Sequence, residues 1–251
     1  MHDTAMFLGE EFFKTYLSDS EGKTIVDVGA QDVNGSLRSV APANNDYIGI
    51  DFVEGKGVDL VFDDPYTLPF DDEAADVVVC SSCFEHSEFF WLLFNDILRI
   101  LKPGGLFYLN VPSNGTFHKY PVDCWRFYPD SGVALQNWGR RSGYRTILLE
   151  SFIGNQQFHG WNDFVGILLK DEAAADQFPM RMQNEMPGFT NGLIYDGTIL
   201  EVAKQEDQYI KFDKDPQDQK LLLFFRLQKR LHAAVQKTIS NYPSIFKRSS
   251  S

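Results

Sequence analysis

The sequence predicts an α/β protein with a mostly parallel sheet as its framework. Short β-branched or aliphatic runs alternate with longer segments of helical periodicity, as repeated strand and helix units require. The run at residues 75–80 is apolar on both faces and so belongs in the middle of such a sheet. Glycines and acids gather where the runs at residues 24–28 and 47–51 end, and open α/β sheets bind ligands at such strand ends.

Taken in order, residues 6–17 carry Phe7, Leu8, Phe12, Phe13, Tyr16 and Leu17 at helical spacing and predict an amphipathic helix over the start of the sheet. Residues 24–28 read as a buried strand and residues 29–35 as the turn leaving it. Gly29 lets the backbone approach a ligand, Asp27 sets a carboxylate beside the turn, and a helix expected after Ser36 aims free N–H groups at it. Residues 47–51 form a second strand whose final acid, Asp51, lies 24 residues beyond Asp27, close to the roughly 20 expected of a ribose-binding acid. A short third strand at residues 58–62 ends in the turn Asp63-Asp64-Pro65. The central strand at residues 75–80 opens into a loop that carries Ser82, Glu85 and His86.

Residues 88–101 read as a helix with a broad apolar face. Its end is marked by Lys102, a cation suited to a helix carboxyl terminus, then by Pro103, Gly104 and Gly105. A fifth strand follows at residues 106–111, a helix at 130–142, and strands at 144–152 and 162–170, with His159 and Trp161 falling between the last two. Beyond Lys170 the chain turns acidic and is broken by Pro179, Pro187, Gly188 and Pro216, with a strand or short helix at residues 192–202. Phe224, Leu227, Leu231 and Ile239 then recur at helical spacing. The domains expected are therefore residues 1–170 and an extension, 171–251, carrying one amphipathic helix at about 217–240. That helix packs on the first domain or forms a homodimer contact.

Composition narrows the function. A chain of 251 residues with 43% hydrophobic and 14% aromatic content can bury a substantial core. A net charge of −12 sets a repulsive field against nucleic acid, and no basic stripe offsets it. No apolar run approaches the roughly 18 residues of a membrane span, and no basic segment followed by an apolar one marks a secretory signal, so a cytoplasmic location is expected. Cys80 and Cys83 have a C-x-x-C spacing without a second pair, which with Cys124 reads as free thiols and no metal.

Asp27-Val-Gly29, Gly49-Ile-Asp51, Asp64 before Leu68-Pro-Phe70, Asp76-Val-Val-Val79, Glu85-His86 and Leu101-Lys-Pro-Gly-Gly105 follow one another in the order that resembles class I S-adenosylmethionine-dependent methyltransferases, over residues 24–111. The resemblance implies a Rossmann-like three-layer sandwich with a seven-stranded sheet, order 3-2-1-4-5-7-6 and strand 7 antiparallel. It also implies S-adenosylmethionine as cofactor, with S-adenosylhomocysteine as product. Asp27, Gly29, Ala30 and Gln31 would lie under its methionine part, Asp51 and Phe52 at the ribose, Asp64 and Pro65 at the adenine, and Ser82 near the methyl group. The usual Gly-x-Gly-x-Gly turn is altered, since Gln31 and Val33 stand at the second and third glycine positions.

The loop at residues 112–129 is too dense in aromatic and ionisable groups, and too long, for a mere connector. Its segment from His118 through Tyr120, Asp123, Trp125 and Arg126 to Pro129 resembles one in methyltransferases of the type 11 kind that accompany bacterial surface-polysaccharide genes. Asn114, Tyr120, Trp125 and Arg126 offer hydrogen bonds and a stacking surface for a small or sugar-like acceptor. A hydroxyl acceptor must lose its proton, and an imidazole is the natural general base. His118 takes that role, Asp123 orients it, and His86 is a second catalytic candidate. Two further readings stay open: a protein methyltransferase, and a non-catalytic cofactor- or partner-binding protein of the same fold, which the altered glycine turn keeps in view.

Overall fold

The computed structural model describes residues 1–157, 160–195 and 197–201. His159 and the helix expected at about 217–240 lie outside the described residues. Nine strands form one sheet: β1 (Thr24–Val28), β2 (Asp46–Asp51), β3 (Leu60–Val61), β4 (Ala75–Ser81), β5 (Leu101–Pro112), β6 (Ile147–Gly154), β7 (Asp163–Leu169), β8 (Phe189–Ile194) and β9 (Ile199–Leu200). Their order is β3-β2-β1-β4-β5-β7-β6-β8-β9. The first five pair in parallel, and β7 runs antiparallel to both β5 and β6. The seven-stranded order implied by the resemblance is therefore present, extended at one edge by the antiparallel β8 and β9.

The alternation of β4 explains the layering. Val78 and Cys80 face one core, with Val26, Phe107 and Leu109 and with Phe94, Ile97 and Leu98 of α2 (Phe90–Ile100) and Leu135 of α3 (Ser131–Arg141). Val77 and Val79 face the other, with Ile25, Tyr108, Leu149 and Val165 and with Leu8, Phe12 and Phe13 of α1 (Asp3–Leu17). Each fully buried Leu, Val or Phe contributes about 1.5–3 kcal/mol.

Three expectations change. The helix expected after Ser36 is a single 3-10 turn, Leu37–Ser39, capped by Ser36 and stopped before Pro42, whose ring cannot continue a helix. The third strand shrinks to Leu60–Val61. The turn at residues 102–105 is absorbed into β5 as a bulge, because Ala75 pairs with Leu101 while Val77 pairs with Leu106. Past residue 170 the chain continues through α4 (Met182–Glu185) and adds the β8–β9 hairpin to the same sheet. Among the described residues no helix is long and apolar enough to cross a membrane.

One buried carboxylate joins these layers. Glu150 of β6 accepts from Tyr16 Oη of α1 at 2.6 Å and from the Met182 and Gln183 N–H groups of α4 at 2.7 and 3.1 Å. Glu150→Leu strands three buried donors and should cost about 3 kcal/mol or more in urea unfolding. Glu150→Gln should cost less, and equal losses in the two variants would refute the hydrogen-bond account.

Candidate functional site

The carboxyl ends of β1, β2, β4 and β5 meet at one edge of the sheet. After β1 the chain turns sharply at Gly29, whose φ is +83° and where a Cβ would come within 2.8 Å of Cys83 Cβ. The Gly29 and Ala30 N–H groups both donate to Ile50 O, at 3.0 and 3.1 Å, and the Gln31 N–H donates to Asp51 Oδ2 at 3.3 Å. The turn's amides thus stitch β1 to β2 rather than standing free for a ligand. Asp51 is almost buried, also accepts from the Val53 N–H, and has its carboxyl pushed up chiefly by burial. Phe52 and Val53 beside it are exposed. A carboxylate set against exposed apolar side chains suits a ribose next to a flat base.

Asp27 lies deeper than expected. It is buried and accepts from Tyr47 Oη at 2.7 Å. Burial pushes its carboxyl up to about 6, against the pull of that hydrogen bond. Asp64 and Pro65 sit exposed in the turn after β3, where Asp64 accepts from the Tyr66 N–H and Thr67 Oγ1.

Beyond β4, Ser82 adopts a left-handed conformation, φ +54°, and its N–H donates to Asn110 O. The 3-10 turn Phe84–His86 follows. Glu85 is 1% exposed, and its Oε2 has no hydrogen-bond partner among the described residues. Burial pushes its carboxyl up to about 8. Its backbone carbonyl accepts from both the Cys124 and Trp125 N–H groups, which straps the long loop onto this turn. His86 turns Nδ1 to Val122 O of that loop, and burial holds its pKa below the ordinary imidazole value.

Asp123 organises the loop itself. Its carboxylate accepts from both Arg126 terminal nitrogens, at 2.5 and 2.8 Å, and from the His118 N–H at 2.7 Å. The guanidinium holds the Asp123 carboxyl down, to about 2. Arg126 also donates to Thr116 O and Trp125 O, so its fork is committed within the loop and is not the free anion clamp expected. Asn114 is likewise structural, bridging the Gly160 carbonyl and the Asn162 N–H. Trp125 is 37% exposed, donates to Ser87 O and stands edge-on to Phe90.

His118 is where the parts converge. Its ring meets His86 edge-to-face at 5.0 Å and Trp161 at 5.2 Å. Asp123 reaches His118 mainly through the backbone N–H, with Nδ1 farther off at 3.5 Å. Tyr120 Oη lies 3.4 Å from Gln31 Oε1 and links the acceptor loop to the turn after β1. One group here was not singled out in the sequence: Asp163 at the start of β7, a fully buried carboxyl group with His2 Nε2 at 3.4 Å. An acid heading an otherwise apolar strand was the one available hint.

A family model described as a methyltransferase domain matches residues 24–109. The chain is 30% identical over 130 residues to an uncharacterized methyltransferase of Mycobacterium leprae, a match spanning 43% of this chain and 44% of that protein. It is also 30% identical over 123 residues to a phthiotriol/phenolphthiotriol dimycocerosates methyltransferase of Mycobacterium tuberculosis, spanning 42% of this chain and 44% of that one. The chain thus spans less than half the length of these curated relatives. Among solved structures, it resembles the Burkholderia thailandensis 1,6-didemethyltoxoflavin-N1-methyltransferase with bound 1,6-didemethyltoxoflavin and S-adenosylhomocysteine. The TM-score there is 0.54 at 14% identity, over 67% of this chain and 79% of that one, a likeness of fold.

The Asp27–Tyr47 pair has a pH signature. A carboxyl raised by folding contributes stability that is complete below its unfolded value of 3.8 and is lost as pH rises through about 6. The difference in unfolding free energy between pH 4 and pH 7 should therefore shrink in Asp27→Asn. An unchanged difference would show that Asp27 titrates normally.

Proposed function

On the premise that the chain belongs, through the domain at residues 24–109, to the class I S-adenosylmethionine-dependent methyltransferases, we propose that it methylates a hydroxyl of a small, sugar-like acceptor held under the loop at residues 112–129. The observation that carries this reading is the meeting of His86 and His118 beside that loop, next to the strand-end turn that Tyr120 touches through Gln31. Asp51, Phe52 and the Gly29–Gln31 turn would hold the cofactor, with Asp64, Pro65 and Ser82 at its margins. When bound, S-adenosylmethionine supplies the methyl group together with a sulfonium leaving group.

Most of the work left to the protein is positioning, which alone lowers barriers substantially. Trp125 and Tyr120, partly or largely exposed, offer ring faces for a sugar. The imidazole pair meets the hydroxyl. Each histidine has Nδ1 against a backbone carbonyl, Val122 O for His86 and Thr116 O for His118, so Nδ1 carries the proton and Nε2 keeps its lone pair. Such a nitrogen can draw the hydroxyl proton as the new bond forms. A second reading, an apolar acceptor, is favoured by the exposed Phe117 and by the lipid named in the M. tuberculosis relative.

Calorimetric titration with S-adenosylmethionine and S-adenosylhomocysteine, with NAD as control, tests the premise. Micromolar binding of the first two is expected, weakened about tenfold or more in Asp51→Ala, roughly what two lost charge-assisted hydrogen bonds to a ribose cost. Turnover with glycosides and with long-chain alcohols then separates the acceptor classes. His118→Ala should abolish turnover while leaving cofactor binding intact. Wild-type turnover in that variant would remove the imidazole pair from the chemistry.

A further inference from the structure

Glu85, His86 and His118 bring one ligand-type atom each to within 4.8 Å of one another. Their arrangement is more specific than proximity. Both imidazoles hold Nδ1 against a backbone carbonyl, the hydrogen bond that a metal-binding histidine makes with the ring nitrogen not on the metal, which leaves both Nε2 lone pairs uncommitted to it. Glu85 Oε1 stands 3.7 Å from His86 Nε2. Glu85 Oε2 is buried with no hydrogen-bond partner among the described residues. A carboxylate so placed is costly unless a charge or a donor compensates it, and Arg126, the cation on the neighbouring loop, is already committed to Asp123.

We propose that Glu85, His86 and His118 bind one first-row divalent cation, of the zinc or manganese kind, beside the methyl-acceptor position. Two imidazoles and one carboxylate match such ions and leave coordination positions open, whereas magnesium and calcium prefer all-oxygen sets. Asp163, opposite Pro112 at the same end of the sheet, is a second fully buried carboxyl group whose oxygens have no hydrogen-bond partner among the described residues. The proposal rests on the methyl-transfer reading for its role. With the cation bound, the two imidazoles serve as ligands instead of as the general base; an acceptor hydroxyl at an open position would be made more acidic, would release its proton to solvent and would then accept the methyl group, with S-adenosylhomocysteine leaving. Three ligands from two loops would also pin residues 112–129 to the turn after β4.

The test is titration of EDTA-treated full-length protein with Co²⁺, read by calorimetry and by ligand-field absorption. One equivalent is expected to bind. His86→Ala, His118→Ala and Glu85→Gln should each weaken it by about tenfold or more, since losing even an outer-shell partner costs 10- to 100-fold. Should Glu85→Gln fail to fold, the two histidine variants decide. Absence of one-equivalent binding, or its retention in the variants, overturns the proposal. S-adenosylhomocysteine binding, measured on the same samples, separates the two readings. That ligand bound without Co²⁺ removes the cation and leaves methyl transfer standing, whereas Co²⁺ bound without it does the reverse.

Discussion

Burial of β4 on both faces is the constraint from which the rest of this structure follows. Val77 and Val79 fill one core while Val78 and Cys80 fill the other, so the strand can lie only in the middle of a sheet covered on both sides. Parallel neighbours on each side bring the ends of β1, β2, β4 and β5 to one edge. The polar residues that could not be placed within those strands collect in the loops there. The position of the site is in this sense a by-product of packing.

What could be read before the structure divides along the same line. Strand existence, the central place of residues 75–80 and the amphipathic helices were legible because period-2 and helical patterns report burial directly. The helix after Ser36 was not, since its absence depends on Pro42 and on turn amides that bond instead to Ile50 and Asp51. In the site, residue types were visible but partners were not. Arg126 looked like a ligand group and Asp123 like the orienter of His118, and they prove to hold each other; Glu85, next to a more conspicuous histidine, proves almost fully buried. A search for metal ligands in sequence looks for short spacings such as Cys80 and Cys83, whereas the cluster that forms in space joins Glu85 and His86 to His118 on a separate loop.

The acids at this edge are treated differently by the fold. Asp123 is paired with arginine and stays readily ionised, Asp51 is held by backbone amides, and Asp27 shares its proton chemistry with a tyrosine. Glu85 and Asp163 receive no comparable compensation from the described residues. That contrast separates the carboxyl groups that build the loop and its neighbouring turns from those with a buried oxygen that no donor among the described residues reaches.

The two outermost strands are each two residues long, Leu60–Val61 and Ile199–Leu200, and both carry exposed aliphatic side chains. A long apolar edge would offer a ladder of unpaired backbone groups to other molecules, the usual start of β-type aggregation. Among the described residues each outermost strand pairs only two residues of its neighbour, Ile50 and Asp51 of β2 and Gly192 and Leu193 of β8, so the sheet tapers at both ends. The hairpin added beyond β6 therefore also covers residues 150–154 of a flank that a seven-stranded sheet would have left open to self-association.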